Sequence, residues 1–431
     1  MNGKPTELNA NDLSPELVVQ RHCECVPRGV SWSPDGSTLA LVEQSNSLRF
    51  IQISELNKSS QTDLLLSRAS LGEAPLDWTW WPSSPESEPN SLALAIACKS
   101  HPPRLIDASV GTVRASYNAR TEAESLRPAH SLSITHDGSA LVAGSDANLS
   151  VYSPFEPAAR CESLALSARE RFSSRCKRKS GQYGLVSAVE TVPATSSWNS
   201  PLIAAAGTFE SDLVGVYDLR CGSSPGGANT GCIALGSYHE GGITSLRWSP
   251  CGLFLFSGAR KDYRVVCSDV RMPGEASLEL PRDTLGTNQR IFFDVDCSSV
   301  RHIITGTTRG RADVVDIQRR ERTGWISVDT NGATVSSASV QPNGGSLVAT
   351  TSGEASFAHN YGNQLAAREG RGGDDNDGNS SSGDSTGSER MNTTERALKV
   401  WRVKRRPLQQ DPCGHGPTEI ETERVDDESA E

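Results

Sequence analysis

Short apolar runs separated by turn residues repeat along most of the chain. Residues 239–262 read HEGGITSLRWSPCGLFLFSGARKD, in which the run ITSLRW meets a Pro-Cys-Gly turn and is followed by the run LFLFSG. Runs of about four to six residues, bounded by Pro, Gly, Asp and Asn, are typical of β-strands and too short for helices. The pattern therefore predicts a chain built of strands.

One unit of three strands and two turns occurs seven times. Its first turns fall near residues 34, 82, 136, 193, 250, 298 and 342, roughly 45–57 residues apart. The units occupy residues 30–54, 78–109, 130–154, 186–220, 243–271, 291–318 and 335–353, and the last one resumes at 397–403. Strand units of this period cannot bury both faces alone, so they stack radially. We predict an all-β fold, a seven-bladed WD-repeat β-propeller.

The predicted domain boundaries follow from where this pattern stops. Residues 354–396 are rich in Gly, Ser, Asp and Asn, which predicts a disordered acidic insertion within the last blade. A closed ring also needs an outer strand for the seventh blade, which we expect from the N-terminal segment near Leu17–Gln20. The predicted segments are a disordered N-terminus (1–16), the blades (17–353), the insertion (354–396), the closing strand of blade 7 (397–403) and a disordered acidic tail (404–431).

Composition and charge limit the kinds of partner. The 38 Gly and 23 Pro residues suit a fold rich in turns. The net charge is −10, so the chain as a whole is unlike a nucleic-acid binder. Residues 369–395 and 418–431 hold much of the acid, however, which leaves the middle of the chain locally basic. The basic stretches 169–179 and Lys404–Arg406 each fit a nuclear-import signal, an RNA-backbone contact or a solvated loop.

The cysteines and the short motifs favour neither a metal site nor an enzyme. The eleven cysteines are scattered, the sequence does not open on an apolar leader, and no run of 18 apolar residues occurs. We therefore expect free thiols in a reducing compartment and no membrane partner. Cys23 and Cys25 form the only close pair, and no second pair at ligand spacing accompanies it. No GxxxxGK[ST] or HExxH motif occurs, so we predict no catalytic residues, no metal, no cofactor and no small-molecule substrate.

Three blocks of the sequence resemble the telomerase Cajal body protein family. They are residues 239–262 (quoted above), NQRIFFDVD at 288–296 and PPRLIDASVG at the start of 102–134. This family is a WD-repeat group of nuclear scaffolds. The resemblance implies binding to H/ACA-type small nuclear RNAs and telomerase RNA, contact with H/ACA core proteins of the dyskerin type, and folding with a chaperonin. It also implies delivery of the particle to Cajal bodies in the nucleus, with the cytoplasm as a second location, and a role in telomere maintenance.

In WD repeats, a His before the first strand and an Asp in the second turn form a hydrogen-bonded network with a Ser and a Trp. The matching residues of the fifth unit are His239, Ser257 and Asp262, whereas Ser268 stands at the Trp position. A hydrolase triad needs its nucleophile aligned on the base in an open site. We therefore interpret His239, Ser257 and Asp262 as a structural network inside the blade.

Polar residues of the fifth and sixth units predict an RNA-contacting surface. Arg260 and Lys261 lie in the second turn of the fifth unit, and Asn288–Arg290 precede the first strand of the sixth. Both positions emerge on the same face of a propeller, and Arg309 in the next turn extends the cluster. Arg and Lys neutralise phosphates, while Asn, Gln and Arg read unpaired bases. We predict RNA binding by Arg260, Lys261, Asn288, Gln289, Arg290 and Arg309; a solvated face is the alternative for each residue alone.

A second hypothesis for the function stays open. The acidic net charge also suits a protein–protein adaptor, such as a ubiquitin-ligase substrate receptor. Sensitivity of the protein's partners to RNase separates this adaptor from an RNA-binding scaffold. An enzyme is the third possibility, with no acid–base pair or metal cluster in the sequence to support it.

Overall fold

The computed structural model describes most of the predicted propeller. Described are residues 13–53, 65–82, 92–120, 125–166, 182–220, 232–237, 239–274, 276–284, 287–296, 301–342, 346–353 and 396–405. The predictions for the N-terminal residues 1–12, the basic stretch 169–179, the insertion 354–395 and the tail from 406 fall outside these ranges.

The described residues form strands that assemble into four-stranded antiparallel blades. The first strand, β1 (Leu13–His22), joins the last blade. Blade 1 contains β2 (Pro27–Trp32), β3 (Thr38–Glu43), β4 (Ser47–Gln52) and β5 (Leu65–Ser70). Blade 2 contains β6 (Pro75–Trp80), β7 (Ala93–Cys98), β8 (Arg104–Asp107) and β9 (Val113–Ser116). Blade 3 contains β10 (Ser131–Ile134), β11 (Leu141–Ser145), β12 (Asn148–Tyr152) and β13 (Glu162–Ala165).

The remaining blades continue the same order. Blade 4 contains β14 (Val186–Thr191), β15 (Ile203–Thr208), β16 (Leu213–Asp218) and β17 (Cys232–Ser237). Blade 5 contains β18 (Ile243–Trp248), β19 (Phe254–Ala259), β20 (Arg264–Asp269) and β21 (Ala276–Pro281). Blade 6 contains β22 (Phe293–Val295), β23 (His302–Gly306), β24 (Arg311–Asp316) and β25 (Glu321–Ser327). Blade 7 contains β26 (Val335–Val340), β27 (Leu347–Ser352), β28 (Ala397–Arg405) and β1.

The seven blades form a closed ring, which confirms the predicted all-β propeller. The first strands of blades 2 to 7 contact each other in order around the centre, and β26 of blade 7 contacts β2 of blade 1. Each predicted first turn lies between the first and second strands of a blade. The structure adds a fourth, outer strand to the first six predicted units, and the seventh has the outer strand expected from the N-terminal segment.

The hydrophobic core is divided into seven clusters, one at each interface between adjacent blades. The cluster between blades 1 and 2, for example, packs Phe50 against Trp80, whose ring centroids lie 5.7 Å apart. A middle strand has a blade on both sides, so all six residues of β7 are buried. This explains why the second run of a unit is mostly apolar and does not alternate.

The N-terminal strand closes the ring. β1 pairs with β28 from Leu13 opposite Arg405 to His22 opposite Ala397, with an irregularity between Leu17 and Val19. The expected outer strand near Leu17–Gln20 thus lies within β1. The sequence-based boundaries were wrong at both ends, because residues 13–16, assigned to a disordered N-terminus, pair with residues 402–405, two of which were assigned to the tail. This pairing covers the edge of β28.

Candidate nucleic-acid interface

The turn of blade 5 and the link into blade 6 lie side by side on one face of the ring, which we call the upper face. The turn joins β19 to β20 and contains Arg260 and Lys261, and the link leads from β21 to β22. The backbone N–H of Lys261 donates to the carbonyl of Thr287 at 3.0 Å, and the N–H of Arg282 donates to the carbonyl of Tyr263 at 2.7 Å. The two groups that the sequence analysis singled out are therefore neighbours.

Arg260 and Lys261 have different surroundings. Lys261 is exposed at the tip of the turn, where its backbone has a positive φ of 57°. The guanidinium of Arg260 lies over the ring of Phe209, 4.7 Å from the centroid, in the matching turn of blade 4. This cation–π contact holds the Arg260 side chain toward the centre of the propeller, while Lys261 faces solvent.

Two glycines let the turn of blade 5 pack tightly against its neighbours. The N–H of Arg260 donates to the carbonyl of Gly242 at 3.0 Å. A Cβ atom at Gly242 would collide with the backbone carbonyl of Phe209, and one at Gly241 would collide with the carbonyl of Arg260. The Gly-Gly pair in HEGGIT is therefore needed for this close approach of backbones.

A buried network holds the same turn from inside the blade. Nδ1 of His239 lies 2.8 Å from Oδ2 of Asp262, and Nε2 of His239 lies 2.8 Å from Oγ of Ser257. Burial alone would raise the pKa of Asp262, but hydrogen bonds from His239 and Arg264 lower it to about 2. His239, Ser257 and Asp262 are all buried, so no substrate reaches the serine as the site stands. Ser268, at the usual Trp position, is also buried.

The network also ties the turn to the link. The hydroxyl of Thr284 donates to the backbone carbonyl of Asp262 at 2.7 Å. The backbone N–H and the Nε of Arg264 donate to Oδ1 of Asp262 at 3.0 and 3.2 Å. Asp262 therefore fixes the relative position of the two polar groups on the upper face.

Arg290 is used inside the molecule rather than on its surface. Its Nε donates to the carbonyl of Thr244 at 3.1 Å and its Nη1 to the carbonyl of Leu76 at 2.9 Å, while its Nη2 donates to the carbonyl of Ser187. These carbonyls belong to blades 5, 2 and 4. The side chain therefore crosses the central channel and joins blade 6 to three others. All three nitrogens of the Arg290 guanidinium already donate hydrogen bonds within the molecule. We therefore interpret Arg290 as a residue that positions the blades, whereas the sequence analysis predicted that it binds RNA.

The other predicted residues extend the surface unevenly. Asn288 is exposed and Gln289 is half-buried beside it. Arg309 is exposed, but its Nε lies 3.0 Å from a carboxylate oxygen of Asp283, which also accepts from Arg311. The charge of Arg309 is thus partly neutralised. The basic surface is centred on blade 5 and weakens toward blade 6.

Two exposed aromatic residues beside these charges were missed by the sequence analysis. Tyr263, 59 % exposed, directly follows Asp262 in the turn of blade 5. Trp325 in β25 is 46 % exposed, and the guanidinium of Arg311 lies 5.7 Å from its ring centroid. The position of Tyr263 immediately after Arg260-Lys261-Asp262 could have indicated an exposed aromatic residue in this turn.

A cavity opens at the upper mouth of the central channel. It measures about 720 Å³, and its lining includes Arg28, Trp78, His130, Phe209 and Phe292. Trp78 and Phe292 face each other with ring centroids 5.5 Å apart. Phe293 is in the core, whereas Phe292, on the opposite side of the chain, borders this cavity.

A second cavity, of about 340 Å³, lies deeper in the channel and is acidic. Glu190 accepts from Nη1 of Arg247 at 3.1 Å, and Nε of Arg247 lies 3.5 Å from a carboxylate oxygen of Asp294. Burial, opposed by Arg247 and reinforced by the charges of Asp77 and Asp294, raises the pKa of Glu190 to about 7. The channel therefore carries guanidinium groups at its upper mouth, and further in it carries carboxyl groups paired with the guanidinium of Arg247.

Three general features of the described residues concern other kinds of site. In this part of the chain, no helix has both the length and the apolar character that crossing a bilayer requires. Within the same ranges, His, Cys, Asp and Glu side chains do not gather in threes at positions suited to a metal ion. The cysteines described there are free thiols.

The closed ring of seven four-stranded blades defines a WD-repeat β-propeller. A family model for the WD domain, G-beta repeat, matches residues 231–267, which span the end of blade 4 and most of blade 5.

The chain is similar to proteins named Telomerase Cajal body protein 1. The one from Mesocricetus auratus is 33 % identical over 302 residues, covering 69 % of this chain and 51 % of the relative. The one from Homo sapiens is 31 % identical over 297 residues, covering 67 % and 49 %. The chain thus spans about half the length of these curated relatives. The resemblance to the telomerase Cajal body protein family is confirmed.

A further relative has a different name. The Guanine nucleotide-binding protein negative regulator 1 of Schizosaccharomyces pombe is 27 % identical over 287 residues, covering 65 % of this chain and 67 % of that protein.

Proposed function

We propose that the chain is a non-catalytic RNA-binding scaffold of the nucleus. In this proposal it recognises H/ACA-type small Cajal body RNAs and telomerase RNA and directs the ribonucleoprotein to Cajal bodies, in support of telomere maintenance. The names of the relatives support the telomerase and Cajal body assignments. The observation that carries the RNA contact is the hydrogen bond between Lys261 and Thr287, which brings two polar segments into one surface.

The chemistry of this surface suits RNA rather than DNA duplex. Arg260 and Lys261 supply positive charge for phosphates, and the amides of Asn288 and Gln289 supply donors and acceptors for base edges. Exposed Tyr263 offers a ring on which an unpaired base stacks. A mixture of charge, amides and an aromatic ring within two adjacent segments is the composition expected for binding a single-stranded loop.

The test compares two faces of the same blade. The double substitution Arg260→Ala and Lys261→Ala should weaken binding of an H/ACA-type hairpin RNA and lower the salt slope by about two, one for each lost phosphate contact. Arg271→Ala is the matched control, because Arg271 is exposed in the turn after β20, which emerges on the opposite face of blade 5. Affinity and salt slope are measured by fluorescence anisotropy.

The thermal melting midpoint of each variant shows whether the ring is intact. Unchanged RNA affinity in the double variant, with a normal midpoint, would contradict the proposed surface. An equal loss of affinity in Arg271→Ala would mean that the effect reflects total charge and not this face.

The proposed partners and locations follow from the family resemblance. They are the small nuclear and telomerase RNAs, H/ACA core proteins of the dyskerin type and a chaperonin for folding, with the nucleus and its Cajal bodies as the main location and the cytoplasm as a second. Sequencing RNA crosslinked to the protein in cells, together with imaging against a Cajal body marker, tests both.

A protein–protein adaptor, such as a ubiquitin-ligase substrate receptor, is the second candidate. The match to a protein named as a regulator of a guanine nucleotide-binding protein favours it, as does the net charge of −10. Capture of partners before and after RNase treatment discriminates the two candidates. A set of partners that survives RNase and lacks dyskerin-type proteins would favour the adaptor.

A further inference from the structure

The cavity at the upper mouth of the channel has the size and lining of a ligand site. Its volume of about 720 Å³ falls within the range of roughly 300–1,000 Å³ of small-molecule pockets. Trp78 and Phe292 provide aromatic surface, and the ring of Trp78 is held by a 3.1 Å hydrogen bond from its indole N–H to Oγ of Ser31. The aromatic wall is therefore already in place before any ligand enters.

One nitrogen of a guanidinium at this cavity has no hydrogen-bond acceptor among the described residues. Arg28 lines the cavity, and its Nη1 is buried with no hydrogen-bond partner among the described residues. Burial, together with the like charge of Arg290, lowers the pKa of Arg28. A buried donor without a partner is costly, so an acceptor that met it after a small rotation of the side chain would be bound favourably.

The distribution of charge selects the class of ligand. Arg28 and Arg290 border the upper cavity, whereas Glu190 and Asp294 line the deeper one together with Arg247. Trp78, Phe292 and Arg290 border both cavities and separate them. A cationic peptide side chain would meet guanidinium groups at the entrance. A flat group with hydrogen-bond acceptors on its edge would meet donors and an aromatic wall.

The cavity is continuous with the surface proposed to bind RNA. Thr287, Asn288 and Gln289 belong to both, and Phe209, over which Arg260 lies, also lines the cavity. An RNA strand whose phosphates contact Arg260 and Lys261 therefore passes directly beside the opening.

We propose that this cavity receives one unpaired nucleobase of the bound RNA, turned inward against Trp78 and Phe292 and hydrogen-bonded by Arg28. The inference rests on the proposed RNA-binding function and adds a base-selective site to it. Guanine is the base that fits best, because its O6 and N7 acceptors form the commonest specific pairing with an arginine fork.

The experiment uses a hairpin RNA whose loop holds a single guanine among uridines, and counterparts with adenine, cytosine, uracil or an abasic site at that position. The wild-type chain should bind the guanine loop about tenfold more tightly than the abasic loop. Arg28→Met, which keeps the bulk and removes the fork, should reduce this ratio to less than about twofold. Phe292→Leu should weaken binding of every loop with a base at the variable position, and spare the abasic loop.

Two controls separate this inference from the proposed function. Lys261→Ala should lower affinity for all the loops by the same factor and keep the preference for guanine, because a phosphate contact carries no base information. Arg271→Ala should change neither affinity nor preference. Melting midpoints identify any variant that fails to fold; if Arg28→Met is one, Phe292→Leu carries the test.

The possible results lead to different conclusions. Equal binding of all loops by the wild type, a guanine preference that survives Arg28→Met, or an equal effect of Phe292→Leu on the base-bearing and abasic loops would overturn the base site and leave RNA binding intact. If the wild type binds none of the hairpins, the proposed function fails and the base site fails with it.

Discussion

Replacing Asp262 by Asn removes one negative charge from the buried network of blade 5 and keeps the size of the side chain. Asp262 is completely buried and accepts hydrogen bonds from the ring of His239 and from the backbone and side chain of Arg264. An Asn side chain places one oxygen and one NH₂ group there, so one of these donors would face another donor. We expect the turn that carries Arg260 and Lys261 to lose stability.

The size of the effect follows from the pKa of Asp262. It falls from the ordinary value of 3.8 to about 2 in the folded protein. Each pKa unit corresponds to about 1.4 kcal/mol, so the charged form contributes about 2–3 kcal/mol to the free energy of unfolding. Asp262→Asn should cost about that amount. Asp262→Ala should cost about 3–5 kcal/mol, because it leaves the buried partners without any acceptor.

The pH dependence has a definite sign. The pKa of Asp262 in the folded state lies below its ordinary value, so its stabilisation is complete above about pH 4 and is lost as the pH falls through about 2. The difference between wild type and Asp262→Asn should therefore shrink to about half at about pH 3. Urea unfolding at several pH values measures it, with the free energy taken from the midpoint and the slope.

The matched control is Asp218→Asn in blade 4. Asp218 makes a 2.6 Å ion pair with Arg220, but the Arg220 side chain is 57 % exposed. An exposed pair of this kind contributes less than about 1 kcal/mol. If Asp262→Asn costs no more than Asp218→Asn, or if its cost does not decrease in acid, the buried network does not stabilise the blade in the way we describe.

Three further substitutions test other contacts. Arg290→Ala should lower the calorimetric melting midpoint strongly, because each of three carbonyls in three other blades loses a donor at about 1–3 kcal/mol; a midpoint equal to wild type would refute this clamp. Gly242→Ala should abolish soluble expression, because its Cβ would collide with the carbonyl of Phe209; normal yield would show that the turn can move away. Glu190 has a folded pKa of about 7, above its ordinary 4.5, so the wild type should lose stability between these values as the pH rises and Glu190→Gln should not. Parallel stability curves of the two proteins from about pH 5 to about pH 8 would contradict this titration.

The charged turn of the proposed surface and the walls of the proposed base site depend on different parts of the ring. Arg260 and Lys261 belong to one turn, and the hydrogen bonds of Asp262 fix that turn within a single blade. Arg28, Trp78 and the Phe292 side chain meet only because blades 1, 2 and 6 face the same channel. Substitutions in the first group should lower affinity for every loop by the same factor, whereas those in the second should act only on loops that carry a base at the variable position.

The number of blades and the place of each first turn could be predicted from the sequence. Both follow from a local pattern: a middle strand such as β7 is buried on both faces, so apolar residues run along it without alternating with polar ones. The outer strands lack this constraint. In β9, for example, three of the four residues are exposed and the fourth is half-buried, so no apolar pattern marked it as a strand.

Sequence alone determined which residues occupy the turns of blade 5, and the structure decided what each of them does. Arg290 is separated from Leu76 by 214 positions, yet the ring brings its Nη1 within 2.9 Å of that carbonyl. The pattern of apolar residues in the sequence shows which residues are neighbours along the chain and within one blade. Closure of the ring sets which blades face each other across the channel, so only the tertiary structure could turn Arg290 inward and place Arg28 at the mouth of a cavity.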